Sequence, residues 1–115
     1  MTLGQKQELF TITMARLEVW VYERTPYRIR SGEFFRSRAE ARRLAGLGKG
    51  IVNSNHCLKL AKDIFISVDG TVDWEWDPYE EVAAEWKTYH PLCRWGGNFG
   101  NRDAVHFSFE HNGVM

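Results

Sequence analysis

Two short stretches of this sequence gather side chains that can hold a metal ion and move a proton. Asn53-Ser54-Asn55-His56 leads into Leu60-Ala61-Lys62-Asp63, and much later Asp103 stands three residues before His106. His56, Asp63 and His106 make two imidazoles and one carboxylate, a borderline-soft donor set that suits zinc. Three protein ligands leave a fourth position for water, as catalytic zinc sites require and structural ones do not. Asp103 is close enough along the chain to accept a proton at such a site without being a ligand. Spacing also constrains the backbone. His56 and Asp63 are seven residues apart, and an odd separation cannot put both on one face of a continuous strand. The chain must therefore turn or bulge after His56, with a strand starting near Leu60 that delivers Asp63. Spacing alone equally allows a buried His–Asp pair with Asp103 and His106 at the surface. Two further imidazoles compete for the third position. His90 falls at a helix C-terminus, where a cationic ring is favourable for ordinary reasons, and His111 lies near a chain end; neither displaces His106.

The elements that must position these residues follow from capping and periodicity. Thr2-Leu3-Gly4-Gln5 has the pattern of a capping box, and Phe10, Met14, Leu17 and Val21 form one apolar stripe, so a first helix is expected over about 3–22. Thr25-Pro26 ends it, and Tyr27 to Arg30 alternates like a short strand. Ser37-Arg38-Ala39-Glu40 reads as a second capping box, opening a helix to about Leu47. Gly46-Leu47-Gly48-Lys49-Gly50 lacks the full phosphate-loop spacing and reads as a connector. Leu60 to Val68 is expected as a buried strand, Asp69-Gly70 as a hairpin turn and Thr71 to Trp76 as the return strand. Asp77-Pro78-Tyr79-Glu80 supplies an N-cap followed by proline and an acidic first turn, for a helix carrying Val82, Ala83, Trp86 and Tyr89 and ending before Pro91. The segment Trp95-Gly96-Gly97-Asn98-Phe99-Gly100 reads as irregular, with a last strand near Val105 to Phe109. This interspersion without βαβ repetition predicts an α+β fold with a small, mainly antiparallel sheet flanked by helices.

Composition narrows the function classes. With 115 residues the chain suits a single domain, the first helix packed on a core from about residue 27. Fifteen basic and fifteen acidic residues cancel, which argues against nucleic acid as a partner, since phosphate neutralisation calls for a basic excess. Arg36, Arg38, Arg42 and Arg43 form a local basic patch that also fits a solvated helix face. Five tryptophans supply core and suit a groove that grips sugars or flat peptide bonds. Cys57 and Cys93 match no thiolate zinc motif; a disulfide and two free thiols both remain open. No stretch reaches the apolar length of a membrane span and none has the form of a signal peptide, so synthesis in a cytoplasm and no membrane partner are expected. A monomer is expected.

Taken together, these motifs resemble the zinc D-Ala-D-Ala carboxypeptidase and L-Ala-D-Glu endopeptidase family, whose fold is shared by the hedgehog signalling domain. The likeness rests on Ser54-x-His56, Ala61-x-Asp63 and the acidic-x-x-His106 motif. It is strengthened by Trp95-Gly96-Gly97, His106-Phe107-Ser108 and Glu110-His111-Asn112-Gly113-Val114, and by Gly32-Glu33-Phe34-Phe35-Arg36 with Glu40. It runs from about Tyr27 to the C-terminus and is greatest toward short phage and prophage members. The resemblance implies zinc held by His56, Asp63 and His106, with Asp103 as general base. It implies that Arg36 binds the substrate's carbonyl or carboxylate and steadies the developing oxyanion; a structural salt bridge to Glu33 or Glu40 is the other role open to Arg36. Ser54 would support the His56 loop or merely turn the chain, and Trp95 would wall the cleft or fill the core. The implied substrate is the stem peptide of bacterial peptidoglycan, cut at an L-Ala-D-Glu-type bond by a phage-type lysis enzyme that is made in the host cytoplasm and reaches the wall after release. A D-Ala-D-Ala carboxypeptidase and a non-catalytic zinc domain binding wall peptide or a phage structural protein are the alternatives. One departure stands out: Lys59 occupies a position where many members carry glycine, which would permit a positive backbone angle.

Overall fold

The computed structural model describes residues 1–115. Helix α1 (Leu3–Arg24) begins on a complete capping box, Thr2 accepting from the Gln5 amide while the Gln5 side chain accepts from that of Thr2. Its expected stripe, Phe10, Met14, Leu17 and Val21, is buried throughout. Strand β1 (Arg28–Ser31) follows, then helix α2 (Arg38–Gly46). Only half of the second capping box forms: Ser37 accepts from the Glu40 amide, but the Glu40 carboxylate pairs with Arg43 instead of reaching back.

Strand β2 (Ala61–Val68) is the backbone of the sheet. It turns through Asp69 and Gly70, both at positive φ, 49° and 81°, the combination that Asp-Gly supplies in a two-residue hairpin. The return strand β3 is only Thr71–Val72, shorter than alternation implied. Helix α3 (Trp76–Tyr89) starts one residue before the expected cap; Glu75 is the N-cap and makes no side-chain capping bond, so Asp77 and Pro78 lie inside the first turn. Proline is tolerated there because the first amides have no intrahelical acceptor. Strand β4 (Cys93–Trp95) is not among the strands expected and meets the segment read as irregular only at Trp95, and β5 (His106–Phe109) closes the order.

The sheet runs β1-β2-β5-β4, with β3 hairpinned onto β2, and every pairing is antiparallel. The α+β architecture expected from the sequence is present. One sheet face meets the helices: Ile64, Ile66, Phe107 and Phe109 join Phe10 of α1 and Val82 and Trp86 of α3 in a continuous core. Trp86 stacks on Phe109 at 5.8 Å, Phe10 meets the same ring edge-on at 5.2 Å, and the Trp86 indole N–H donates to the Arg94 carbonyl oxygen. Because strand side chains alternate, Asp63 and Phe65 of β2 and His106 and Ser108 of β5 lie on the opposite face. The sheet thus presents its chemistry on one side and is anchored by the other. No helix is long and apolar enough to cross a membrane.

Candidate metal centre and cleft

Register brings two of the candidate ligands together: Asp63 of β2 stands directly opposite His106 of β5, and facing side chains in an antiparallel pair are neighbours. His56 arrives by the turn that its spacing demanded. Residues Asn55–Leu58 form a 3₁₀ turn, with Ser54 as N-cap accepting from the His56 amide, so Ser54 both turns the chain and supports the loop. Lys59 then takes the left-handed conformation at φ 56° and swings the chain into β2. The departure from glycine at this position therefore leaves the backbone angle in place and puts a lysine into it.

The outcome is one compact cluster. His56, Asp63 and His106 each bring a ligand atom within 4.8 Å of the others. Asp63 Oδ1 lies 3.3 Å from His56 Nε2 and 3.7 Å from His106 Nδ1. This oxygen is buried and has no hydrogen-bond donor, which is costly unless something positive completes it. The far side of each ring is occupied. His56 Nδ1 lies 3.0 Å from the Phe34 carbonyl oxygen, and His106 Nε2 lies 2.9 Å from the main-chain oxygen of Met115. Oxygens that only accept keep the proton of a neutral ring on the nitrogen facing them, leaving His56 Nε2 and His106 Nδ1 bare toward Asp63. A buried carboxylate oxygen without a donor, between two unprotonated ring nitrogens, fits a divalent cation such as zinc. The charge balance agrees. Burial alone would raise the Asp63 carboxyl, but its contacts with His106 and His56 outweigh burial and hold it at about 2. Burial likewise disfavours the His56 cation, yet Asp63 more than compensates and its pKa is raised.

The cluster lies in an open cavity of about 480 Å³ that Arg36 and Asp103 also line, so all five residues singled out in the sequence meet in one place. Burial, helped by the neighbouring Asp63, raises the Asp103 carboxyl above the ordinary range, which suits a proton acceptor. Arg36 forms the salt bridge open to it: its guanidinium pairs with Glu33 through Nε at 2.9 Å and more closely through Nη2. It lines the cavity all the same. Its amide donates to the His56 carbonyl oxygen, tying the two segments side by side. Trp95 is core, 2% exposed, and its indole N–H donates to the Ala104 carbonyl oxygen, holding the segment between Asp103 and His106. Gly96 is indispensable to that fit: a Cβ there would lie 2.1 Å from the Asp103 carbonyl oxygen.

Several participants gave no signal in the sequence. Phe34 and Met115 act through main-chain oxygens, and Gly48, Lys49 and Gly50, which read as a connector, form one cavity wall. His90 packs on Phe109 and accepts from the Leu92 amide, while His111 lies against Lys6; neither joins the cluster. Both cysteines are free, Cys93 buried with its thiol pushed up to about 12 by burial.

Comparison with known proteins bears on the fold. No protein-family model matches the sequence, and no curated protein does. Among solved structures, the chain is similar to the crystal structure of the Serratia marcescens L-Ala D-Glu endopeptidase ChiX, with a TM-score of 0.65 and 27% identity over 72% of this chain and 67% of that one. The chain has the fold of that endopeptidase.

Proposed function

We propose that this protein is a zinc-dependent peptidase that hydrolyses the stem peptide of bacterial peptidoglycan at an L-Ala–D-Glu bond, in the manner of a phage lysis enzyme acting at the cell wall. The observation that carries the proposal is the convergence of His56, Asp63 and His106 within 4.8 Å, in a cavity that Asp103 and Arg36 share. The fold likeness to an L-Ala D-Glu endopeptidase supports the bond. Zinc bound by the three ligands would polarise the scissile carbonyl and make water acidic enough to deprotonate near neutral pH. The chain's own groups divide the remaining work. Asp103 takes the proton from the attacking water on its carboxylate and returns it to the leaving amine. Arg36, held in a fixed pose by Glu33, aims planar paired donors at the oxygen on which charge develops.

Digestion of purified peptidoglycan, with mass spectrometry of the released fragments, tests the proposal. Fragments with a new D-Glu amino terminus are expected. Release of a terminal D-Ala alone would make the protein a carboxypeptidase, and no release by zinc-loaded protein would make it a binding domain.

A further inference from the structure

Beyond β5 the chain turns back to face the metal centre. Asn112 and Gly113 both have positive φ, 49° and 80°, the tight reversal that Asn-Gly favours. His111 and Val114 bridge across it with paired main-chain bonds of 2.8 and 2.9 Å. Lys6 of α1 holds the turn from outside, its Nζ 2.9 Å from His111 Nδ1. Asn55 holds it from inside, its amide donating to the carbonyl oxygens of Phe109 at 2.6 Å and Val114 at 2.8 Å. Asn55 is 1% exposed and immediately precedes His56. One buried amide therefore ties the His56 turn to the end of β5 and to the returning chain. The reversal brings Met115 back over β5, where its main-chain oxygen accepts from Ser108 Oγ at 2.7 Å and from His106 Nε2 at 2.9 Å.

We propose that the segment His111–Met115 is a positioning element for the His56–Asp63–His106 centre. The Met115 main-chain oxygen, seated by Ser108, sets the tautomer and orientation of His106, and Asn55 couples the same turn to His56. The inference rests on the metal reading of the cluster given above. It requires the main chain at position 115 and no particular side chain. Partners that orient a ligating histidine from behind are worth roughly 10–100-fold in metal affinity.

The test compares the full chain with a chain ending at Gly113 and with Ser108→Ala and Met115→Ala. Zinc affinity is measured by competition with a chromophoric chelator, and nitrogen-15 NMR of the metal-free proteins reports which His106 nitrogen carries the proton. Met115→Ala is expected to match the full chain in both. The shortened chain should lose roughly 10–100-fold in zinc affinity and its preference for a proton on Nε2, with Ser108→Ala shifting both readouts the same way. A shortened chain that stays folded with normal affinity and tautomer overturns the proposal. So does a Met115→Ala variant as impaired as the shortened chain. Should the shortened chain fail to fold, Ser108→Ala decides, and normal values there overturn the proposal. If the full chain binds no zinc, the metal reading fails, while the His106 tautomer comparison still decides the positioning role.

Discussion

Asp103, His56 and His106 share a cavity, yet their substitution should have different consequences. His56→Ala and His106→Ala remove donors from the cluster, so zinc content and activity should fall together. Asp103→Asn keeps the three donors and removes the proton acceptor; zinc content should stay near one per chain while turnover drops by about a hundred- to ten-thousand-fold. Elemental analysis beside peptidoglycan digestion checks this, and loss of zinc in folded Asp103→Asn would make Asp103 a ligand. Arg36 is distinguished through its partner. Arg36→Lys keeps the charge but not the planar fork, so turnover should fall with the Michaelis constant little changed. Glu33→Gln breaks the ion pair and leaves Arg36 in the cavity, so it should lower stability more than activity per folded molecule. Unchanged activity per folded molecule in both variants, with stability lowered, would mean that the pair is purely structural. At this scale the sequence was informative wherever a side chain carries the chemistry. Type and spacing mark His56, Asp63, His106 and Asp103 as candidates while leaving a plain buried His–Asp pair open, and Arg36 enters the site only through the family resemblance; the cavity gathers all five. The acceptors behind the two rings are main-chain atoms of Phe34 and Met115, and a main-chain oxygen has no residue type to betray it.

Among the elements, periodic ones were legible and short ones were not. The α1 stripe and the Asp69-Gly70 turn follow from rules that need only local sequence. Strand β4 has three residues, too few to show alternation, and the α3 start was displaced because proline and an acidic residue fit anywhere in a first turn. Two backbone positions test how elements hold the site. Lys59 sits at φ 56°, where a side chain costs about 1–2 kcal/mol and glycine costs mainly chain entropy. Lys59→Gly should therefore leave stability unchanged or raise it by up to about 1 kcal/mol, whereas Lys59→Val should lower it. Urea denaturation measures both, and a more stable Lys59→Val would refute the reading. Gly96→Ala drives a methyl group into the Asp103 carbonyl oxygen. Overpacking of this kind costs about 1–3 kcal/mol, and here it also pushes the 103–106 segment away from Asp63, so zinc affinity should fall along with stability.

For the whole molecule, a metal bound at the cluster would act through the same groups as pH and with opposite sign. The Asp63 carboxyl is depressed to about 2, so its contribution to stability is present above its ordinary value near 4 and is lost as pH falls toward 2. The His56 pKa is raised; its contribution is full below about 6.5 and is lost as pH rises through the folded value. Metal-free protein should thus lose stability on going from about pH 6 to about pH 8. Zinc bound at the proposed site would need unprotonated imidazoles, so its stabilisation should grow over the same interval. The gap between the thermal midpoints of zinc-loaded and chelator-treated protein should widen as pH rises, and a constant gap would argue against His56 as a ligand.

The facing of Asp63 and His106 across β2 and β5 also bears on how the chain folds. Side chains alternate along a strand, so a slip of one residue between these strands would turn every group to the other face. Asp63 would then stand opposite Val105 or Phe107, an apolar neighbour rather than an imidazole, and the aromatic anchors of β5 would lose their seats against the helices. The pairing joins segments far apart in sequence, the kind that forms late and slowly. A cation captured between them would therefore be a proofreading signal: it would reward one alignment and leave every shifted one unrewarded, so refolding with metal present should narrow the population to the native register rather than merely raise its stability.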